Sequence, residues 1–104
     1  MKQIIRYAIL KPEKLKFYKD VHYQTWPHVK QILAQCKIRE YDLYFHGNLV
    51  ISRLLYDGMD FQADTKILDI DPEYQQWTEI TEPCFAKEKE SDPAWNDAEH
   101  ICIF

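Results

Sequence analysis

The stretch Ile38-Arg39-Glu40-Tyr41-Asp42-Leu43-Tyr44-Phe45-His46-Gly47-Asn48-Leu49-Val50-Ile51-Ser52-Arg53-Leu54-Leu55-Tyr56 decides how this chain folds. Tyr41, Leu43 and Phe45 alternate with Glu40, Asp42, Tyr44 and His46, the period of a strand with one apolar side. Gly47-Asn48 supplies a two-residue turn, and 49–56 is a second run rich in aliphatic residues. The segment therefore reads as a hairpin of 38–46 against 49–56, closed by Asp57-Gly58. Arg53 is out of character there: turned inward it needs a carboxylate or a ligand oxygen, turned outward only water.

Upstream, residues 3–10 are β-branched and aromatic and stop at Lys11-Pro12, which marks a first strand buried on both faces over part of its length. Pro12 suits the first turn of a helix, where its missing N–H costs nothing. From there to about Cys36, Leu15, Tyr18, Val21 or His22, Thr25 or Trp26, Val29, Ile32 and Leu33 keep the three-four spacing of an amphipathic helix. Pro27 cannot donate to the carbonyl four residues back, so the helix is expected to break at Thr25-Trp26 and restart with Thr25 as its cap.

Downstream of the hairpin, two shorter helices are expected, one over about 60–68 and one opening at Asp71-Pro72. The second carries Tyr74, Trp77 and Thr81 on one side and is limited by Pro83. Lys87-Glu88-Lys89-Glu90 reads as a solvated helix end, 91–97 as a loop bearing Trp95, and His100–Phe104, alternating around Ile101 and Ile103, as a last strand. The order β, interrupted α, β, β, α, β is that of an α+β, ferredoxin-like split β-α-β fold. It implies an antiparallel four-stranded sheet with helices on one face, in a single domain over 1–104. The other face needs cover: Tyr41, Leu43 and Phe45 with Ile101 and Ile103 suggest apolar groups on both sides, to be met by a ligand or a second subunit.

A chain of 104 residues buries only roughly two-thirds of its unfolded surface, so 3 Trp, 7 Tyr and 5 Phe must supply much of the core. Lys and Arg number 13 against 17 Asp and Glu, for a formal charge of −4. No basic stripe exists to displace counterions from a nucleic acid. Apolar runs are too short to span a membrane, and Met1–Arg6 lacks the features of a signal peptide, so a cytoplasmic protein is expected. Cys36, Cys84 and Cys102 form no C-x-x-C pair and fit neither a disulfide framework nor a zinc knuckle.

Chemistry points to Tyr18, His22 and Trp26, four residues apart, which a continuous helix would stack along one side. An imidazole can give and take a proton near neutral pH, and flat rings can cover the apolar face of a pyranose. Such aromatic stripes more often serve packing than chemistry. Tyr18-x-x-x-His22-x-x-x-Trp26-Pro27, followed by Tyr41-x-x-Tyr44 and later Gln76-Trp77, resembles the signature of the L-rhamnose mutarotase family, with the stretch 53–73 matching least. That resemblance implies a dimeric α+β barrel, no cofactor and no metal. It also implies interconversion of the α and β anomers of a 6-deoxy-hexopyranose, with His22 as acid/base and Tyr18, Tyr41 and Trp77 binding the sugar.

The family commonly carries Trp-Trp where this chain has Trp77-Thr78, and a stretch richer in Pro and Asn in place of Asp92-Pro93-Ala94-Trp95. Trp95 is a candidate for the missing ring, Trp26 or Trp95 is expected to join Trp77 in stacking on the sugar, and L-fucose competes with L-rhamnose as that sugar. Two other readings of the same architecture stand beside this one: a cofactor-free monooxygenase of the dimeric barrel type, and a homodimeric module that binds a small ligand without catalysis. Of the remaining polar groups, His28 is expected at the surface, His100 and Cys102 lack a third metal ligand, and Cys36 and Cys84 lack the neighbours that hold a thiolate.

Overall fold

A computed structural model describes residues 1–104. The hairpin forms as the alternation requires: β2 (Ile38–His46) and β3 (Leu49–Tyr56) pair antiparallel through the turn at Gly47, whose φ of +58° suits glycine. β1 (Lys2–Ile9) pairs antiparallel with the far edge of β3, Arg6 opposite Ser52 and Ala8 opposite Val50. A two-residue strand, β4 (Asn96–Asp97), completes the sheet in the order β2-β3-β1-β4. The fold is the expected α+β arrangement, an antiparallel four-stranded sheet with its helices on one face.

The helical segment breaks where Pro27 demands it. A 3-10 turn at Pro12–Lys14 leads into α1 (Leu15–Tyr23), and α2 (Pro27–Gln35) starts with proline at its first position. Thr25 does not cap α2 as expected: its hydroxyl donates backward to the His22 carbonyl at 2.7 Å, satisfying the end of α1 instead, and Trp26 takes the cap position without a side-chain bond. The region 60–68 resolves into α3 (Phe61–Asp64) and a 3-10 turn at Lys66–Asp69. α4 (Pro72–Thr81) is capped by Asp71, which accepts from the Tyr74 N–H at 2.9 Å, and passes into a 3-10 turn at Glu82–Cys84. Lys87–Glu90 lies in a loop, not at a helix end.

His100–Phe104 is not a strand. Asn96 and Asp97 already pair with Tyr7 and Arg6, so at this register the last residues fall opposite Gln3 and Lys2 and then run past the start of β1. Pairing stops where the Ala98 N–H donates to the Ile5 carbonyl, and Ile101 and Ile103 remain exposed.

The expected assignment of sheet faces also changes. Tyr41, Leu43 and Phe45 stand in cross-strand rows with Leu54, Ser52 and Val50, which are buried beneath the helices. The open face is carried by Ile5, Tyr7, Ile9, Leu49, Ile51 and Leu55, with Tyr44 beside them. Arg53 lies on that face and donates to Glu40, Asp42 and Gln3 at 2.8–3.0 Å.

Beneath the helices the core is split. Ala8, Leu10, Tyr18, Val50, Cys84 and Phe85 form one cluster, and Cys36, Ile38 and Leu54 another. α2 and α4 are joined at their starts by His28, whose Nε2 lies 2.9 Å from both carboxylate oxygens of Asp71, with Glu73 3.6 Å from Nδ1. His28 is thus tied down and only 37% exposed, not free at the surface.

The bond to Asp71 raises the His28 pKa above its ordinary 6.5, and the bond to His28 holds Asp71 below its ordinary 3.8. The His28 contribution is whole below pH 6.5 and fades as pH rises through the raised value; that of Asp71 is whole above 3.8 and is lost as pH falls through the lowered one. The clamp is strongest between those limits. The melting temperature of His28→Gln should fall furthest below that of the parent between pH 3.8 and 6.5 and approach it as pH rises through the raised His28 value; a pH-independent gap would contradict the ion pair.

Candidate active site

Between the two core clusters the helices stand off the sheet, and His22 faces the gap from the last turn of α1. Its Nδ1 is 2.8 Å from the carbonyl oxygen of Tyr18, one turn back. A carbonyl only accepts, so Nδ1 carries the hydrogen and the neutral ring presents the Nε2 lone pair to the cavity. Burial lowers the His22 pKa below its ordinary 6.5, opposed by the bond to Tyr18. At neutral pH this is an uncharged base with one nitrogen free.

The ring is held in a row of aromatics. Trp26 meets Trp77 edge-on at 5.3 Å between centroids, Trp77 meets His22 at 5.1 Å, and His22 lies against Tyr18 at 4.3 Å. Phe85 follows Tyr18 at 5.5 Å and Trp95 follows Phe85 at 5.6 Å. The row runs from the start of α2, along α4 and α1, to the loop before β4.

A recess of about 450 Å³ opens along it, lined by Tyr18, His22, Tyr41, Trp77 and Trp95 among others. That volume is within the range of small-ligand sites. A narrower recess of about 140 Å³ shares His22, Tyr41, Tyr74 and Trp77 and is closed by Val29 and Leu33 of α2. Of the residues singled out in the sequence, the fold brings Tyr18, His22, Tyr41, Trp77 and Trp95 together. Trp26 lies apart: it lines a shallow depression with Phe17, Val21 and Ile80 and touches the cavity only through Trp77. Thr78 and Trp95 line the same recess, so an indole does stand near the position where the second tryptophan is missing.

Tyr18 is 2% exposed, and burial drives its phenol far above the ordinary 10.0. Tyr41 keeps 39% of its surface, yet burial of its phenol pushes it up to about 12. Of all the tyrosines, only Tyr56 makes a hydrogen bond through its hydroxyl within the chain, to Asp64 and the Asp60 N–H. The hydroxyls of Tyr18, Tyr41 and Tyr74 are therefore unengaged beside an unengaged Nε2. No three His, Cys, Asp or Glu side chains converge in a way that could hold a metal ion. Cys36 and Cys84 are buried thiols, raised by that burial, and Cys102 is exposed in the tail.

The profile of the L-rhamnose mutarotase family matches residues 4–103. The chain belongs to this family. As a member it is an isomerase, a sugar mutarotase. No individually curated protein is matched. Among solved structures it is similar to an L-rhamnose mutarotase from Formosa agariphila, at 17% identity over 100% of this chain and 99% of that one, with a TM-score of 0.77. It is also similar to tetracenomycin F2 cyclase from Streptomyces glaucescens (9% identity, 100% and 99% covered, TM-score 0.69) and to a NIPSNAP domain protein from Burkholderia xenovorans (16%, 100% and 97%, 0.66). At these identities the structural likenesses concern the fold alone.

Tyr74 is the lining residue that sequence reasoning passed over. It shares a helix face with Trp77 and Thr81, but that spacing reads as packing. Lys30 and Thr25, at the rim of the narrower recess, carry no signal of their own.

The tautomer is open to direct measurement. Nitrogen-proton correlation spectra should find His22 protonated on Nδ1 at neutral pH and titrating below 6.5. A proton on Nε2, or a titration above 6.5, would contradict this geometry.

Proposed function

We propose that the cavity takes a 6-deoxy-hexopyranose such as L-rhamnose, or L-fucose in its place, and exchanges its anomers through His22. Nε2 takes the proton of the anomeric hydroxyl while a neighbouring phenol, that of Tyr41 or Tyr18, delivers one to the ring oxygen. The bond between the anomeric carbon and the ring oxygen breaks, leaving an open-chain aldehyde. Rotation about the bond to the carbonyl carbon exposes its other face, and closure returns both protons to their donors. No electron is gained or lost, and the balance needs no co-reactant.

The observation that carries this reading is the neutral imidazole with its free Nε2 set among three unengaged phenol hydroxyls. Tyr18 and Tyr41 offer hydrogen bonds to sugar hydroxyls; Trp77, with Trp95 across the recess, offers flat apolar surface to the pyranose. Trp26 serves by bracing Trp77. Monooxygenase chemistry and binding without turnover have no comparable observation in their favour.

We take the working form to be a homodimer in the cytoplasm, with a second copy on the open sheet face. Tyr7, Ile9 and Tyr44 keep 40%, 44% and 55% of their surface there, an apolar patch unusual for a lone domain.

Exchange spectroscopy between the anomers of L-rhamnose and L-fucose should show acceleration by the protein. His22→Ala should remove about 10²–10⁴-fold of it, the usual contribution of a general acid/base. Unaltered exchange in the variant would shift the chemistry elsewhere. Sedimentation at micromolar concentration should return a particle of twice the 12.6 kDa chain mass, and a single-chain mass would overturn the pairing.

A further inference from the structure

One polar side chain beneath the helices has no partner that explains it. Arg6 stands on the helix-facing side of β1, between the buried Ala8 and the half-buried Ile4, with Ser52 directly opposite on β3. No carboxylate lies within ion-pair distance of its guanidinium, although every other arginine of the chain has one. Its Nε is buried and forms no hydrogen bond, and the Ser52 hydroxyl in the same cross-strand row is equally buried and equally unengaged. The Phe61 ring lies 6.0 Å from the guanidinium carbon, a weak contact for a full charge. An inward arginine with no acid beside it and a buried, unbonded Nε calls for an explanation in terms of something it meets.

Tyr41 lies on the same face of the sheet, one cross-strand row along and two strands away, roughly 10 Å between backbones at the usual strand spacing. Two long side chains can reach across much of that distance, and Arg6 itself stands behind the residues that line the two recesses. Tyr74 of α4 lines both recesses with Tyr41, and its hydroxyl has no partner. Burial raises both phenols, and among their neighbours only the Arg6 charge works against that rise. Asp69, Glu82 and Cys36 also act on Tyr74, in the same direction as burial.

We infer that Arg6 and Tyr74, together with Tyr41, form a hydrogen-bonding cluster that grips hydroxyls of the bound pyranose and sets which sugar is accepted. The inference rests on the proposed function and extends it to two residues outside the His22 pair. Arg6 supplies donors only, Tyr74 a donor and an acceptor, and a pair of adjacent ring hydroxyls complements that set. Because a hydroxyl of inverted configuration leaves one of these groups unmatched, Arg6 and Tyr74 discriminate between sugars more than they drive the proton transfers.

The test compares Arg6→Gln, Arg6→Lys and Tyr74→Phe with the parent protein, using saturation of anomeric exchange and, separately, ligand-observed resonance titrations with L-rhamnose and L-fucose. Losing one such hydrogen bond should raise KM on the order of tenfold in Arg6→Gln and Tyr74→Phe. The fall in kcat should be much smaller, and the L-rhamnose to L-fucose preference should change. Arg6→Lys should recover part of the loss, which a merely structural role would not predict, and Tyr74→Phe keeps the ring that fills the helix face. Unchanged KM and unchanged preference in a parent that accelerates exchange would overturn the cluster alone. A parent that binds sugar without accelerating exchange would overturn the proposed function, and the dissociation constants of the variants would then decide the cluster. A parent that binds neither sugar overturns both.

Discussion

One hydrogen bond, from the His22 ring to the carbonyl of Tyr18, decides what this cavity can do. Had the partner been a carboxylate, as it is for His28, the imidazole would be drawn toward its charged form and would enter a reaction already protonated. A carbonyl fixes the ring and its tautomer without supplying that charge, and burial then keeps it neutral. The two histidines, six positions apart, are held one as a free base and the other as half of an ion pair by the oxygen each one meets together with the deeper burial of His22.

That bond depends on α1 ending where it does. Pro27 forbids a continuous helix, and Thr25 satisfies the His22 carbonyl that the break exposes. His22 is thereby left in the final turn, directed into the space between the two halves of the core. A tilted contact with Tyr18 and an edge-on one with Trp77, aromatic pairs typically worth about 0.5–1.5 kcal/mol beyond simple burial, then brace it from both sides. A base used for proton transfer gains from such bracing, because small displacements of the reacting atoms cost rate steeply.

The hairpin, the proline break, the opening of α4 at Asp71-Pro72 and the order of elements through α4 were all legible in the sequence, because each follows from local rules of period, turn and capping. His100–Phe104 was not. Its alternation is real, but pairing depends on a register fixed elsewhere, by Asn96 and Asp97 against β1. Tyr18, His22, Tyr41, Trp77 and Trp95 were legible as candidates, and the fold gathers them in one cavity. Trp26 lines a separate depression, because four-residue spacing aligns side chains only on an unbroken helix and the break turns this one aside. Arg6 and Tyr74 escaped notice because nothing local separates an inward, unpaired arginine from a solvated one, or a lining tyrosine from a packed one. Only the absence of partners distinguishes them.

Alternation along the strands also explains how one sheet serves two purposes. On β2, Tyr41 and Leu43 face the cavity while Asp42 and Tyr44 face outward; on β1, Arg6 faces inward between Ile5 and Tyr7 facing outward. The open face meets its own needs, since the Arg53 guanidinium is engaged by Glu40, Asp42 and Gln3 of the same chain, and its apolar remainder is free to be covered. The cavity lies across the sheet from that face, so the proposed second copy would cover the strands without closing the recess. A slip of one residue in the β1 register would exchange the two sides, sending Arg6 into the apolar open face and Ile5 or Tyr7 beneath the helices. The register that Ser52 and Val50 enforce by their complete burial is therefore a requirement shared by the proposed chemistry and the proposed pairing.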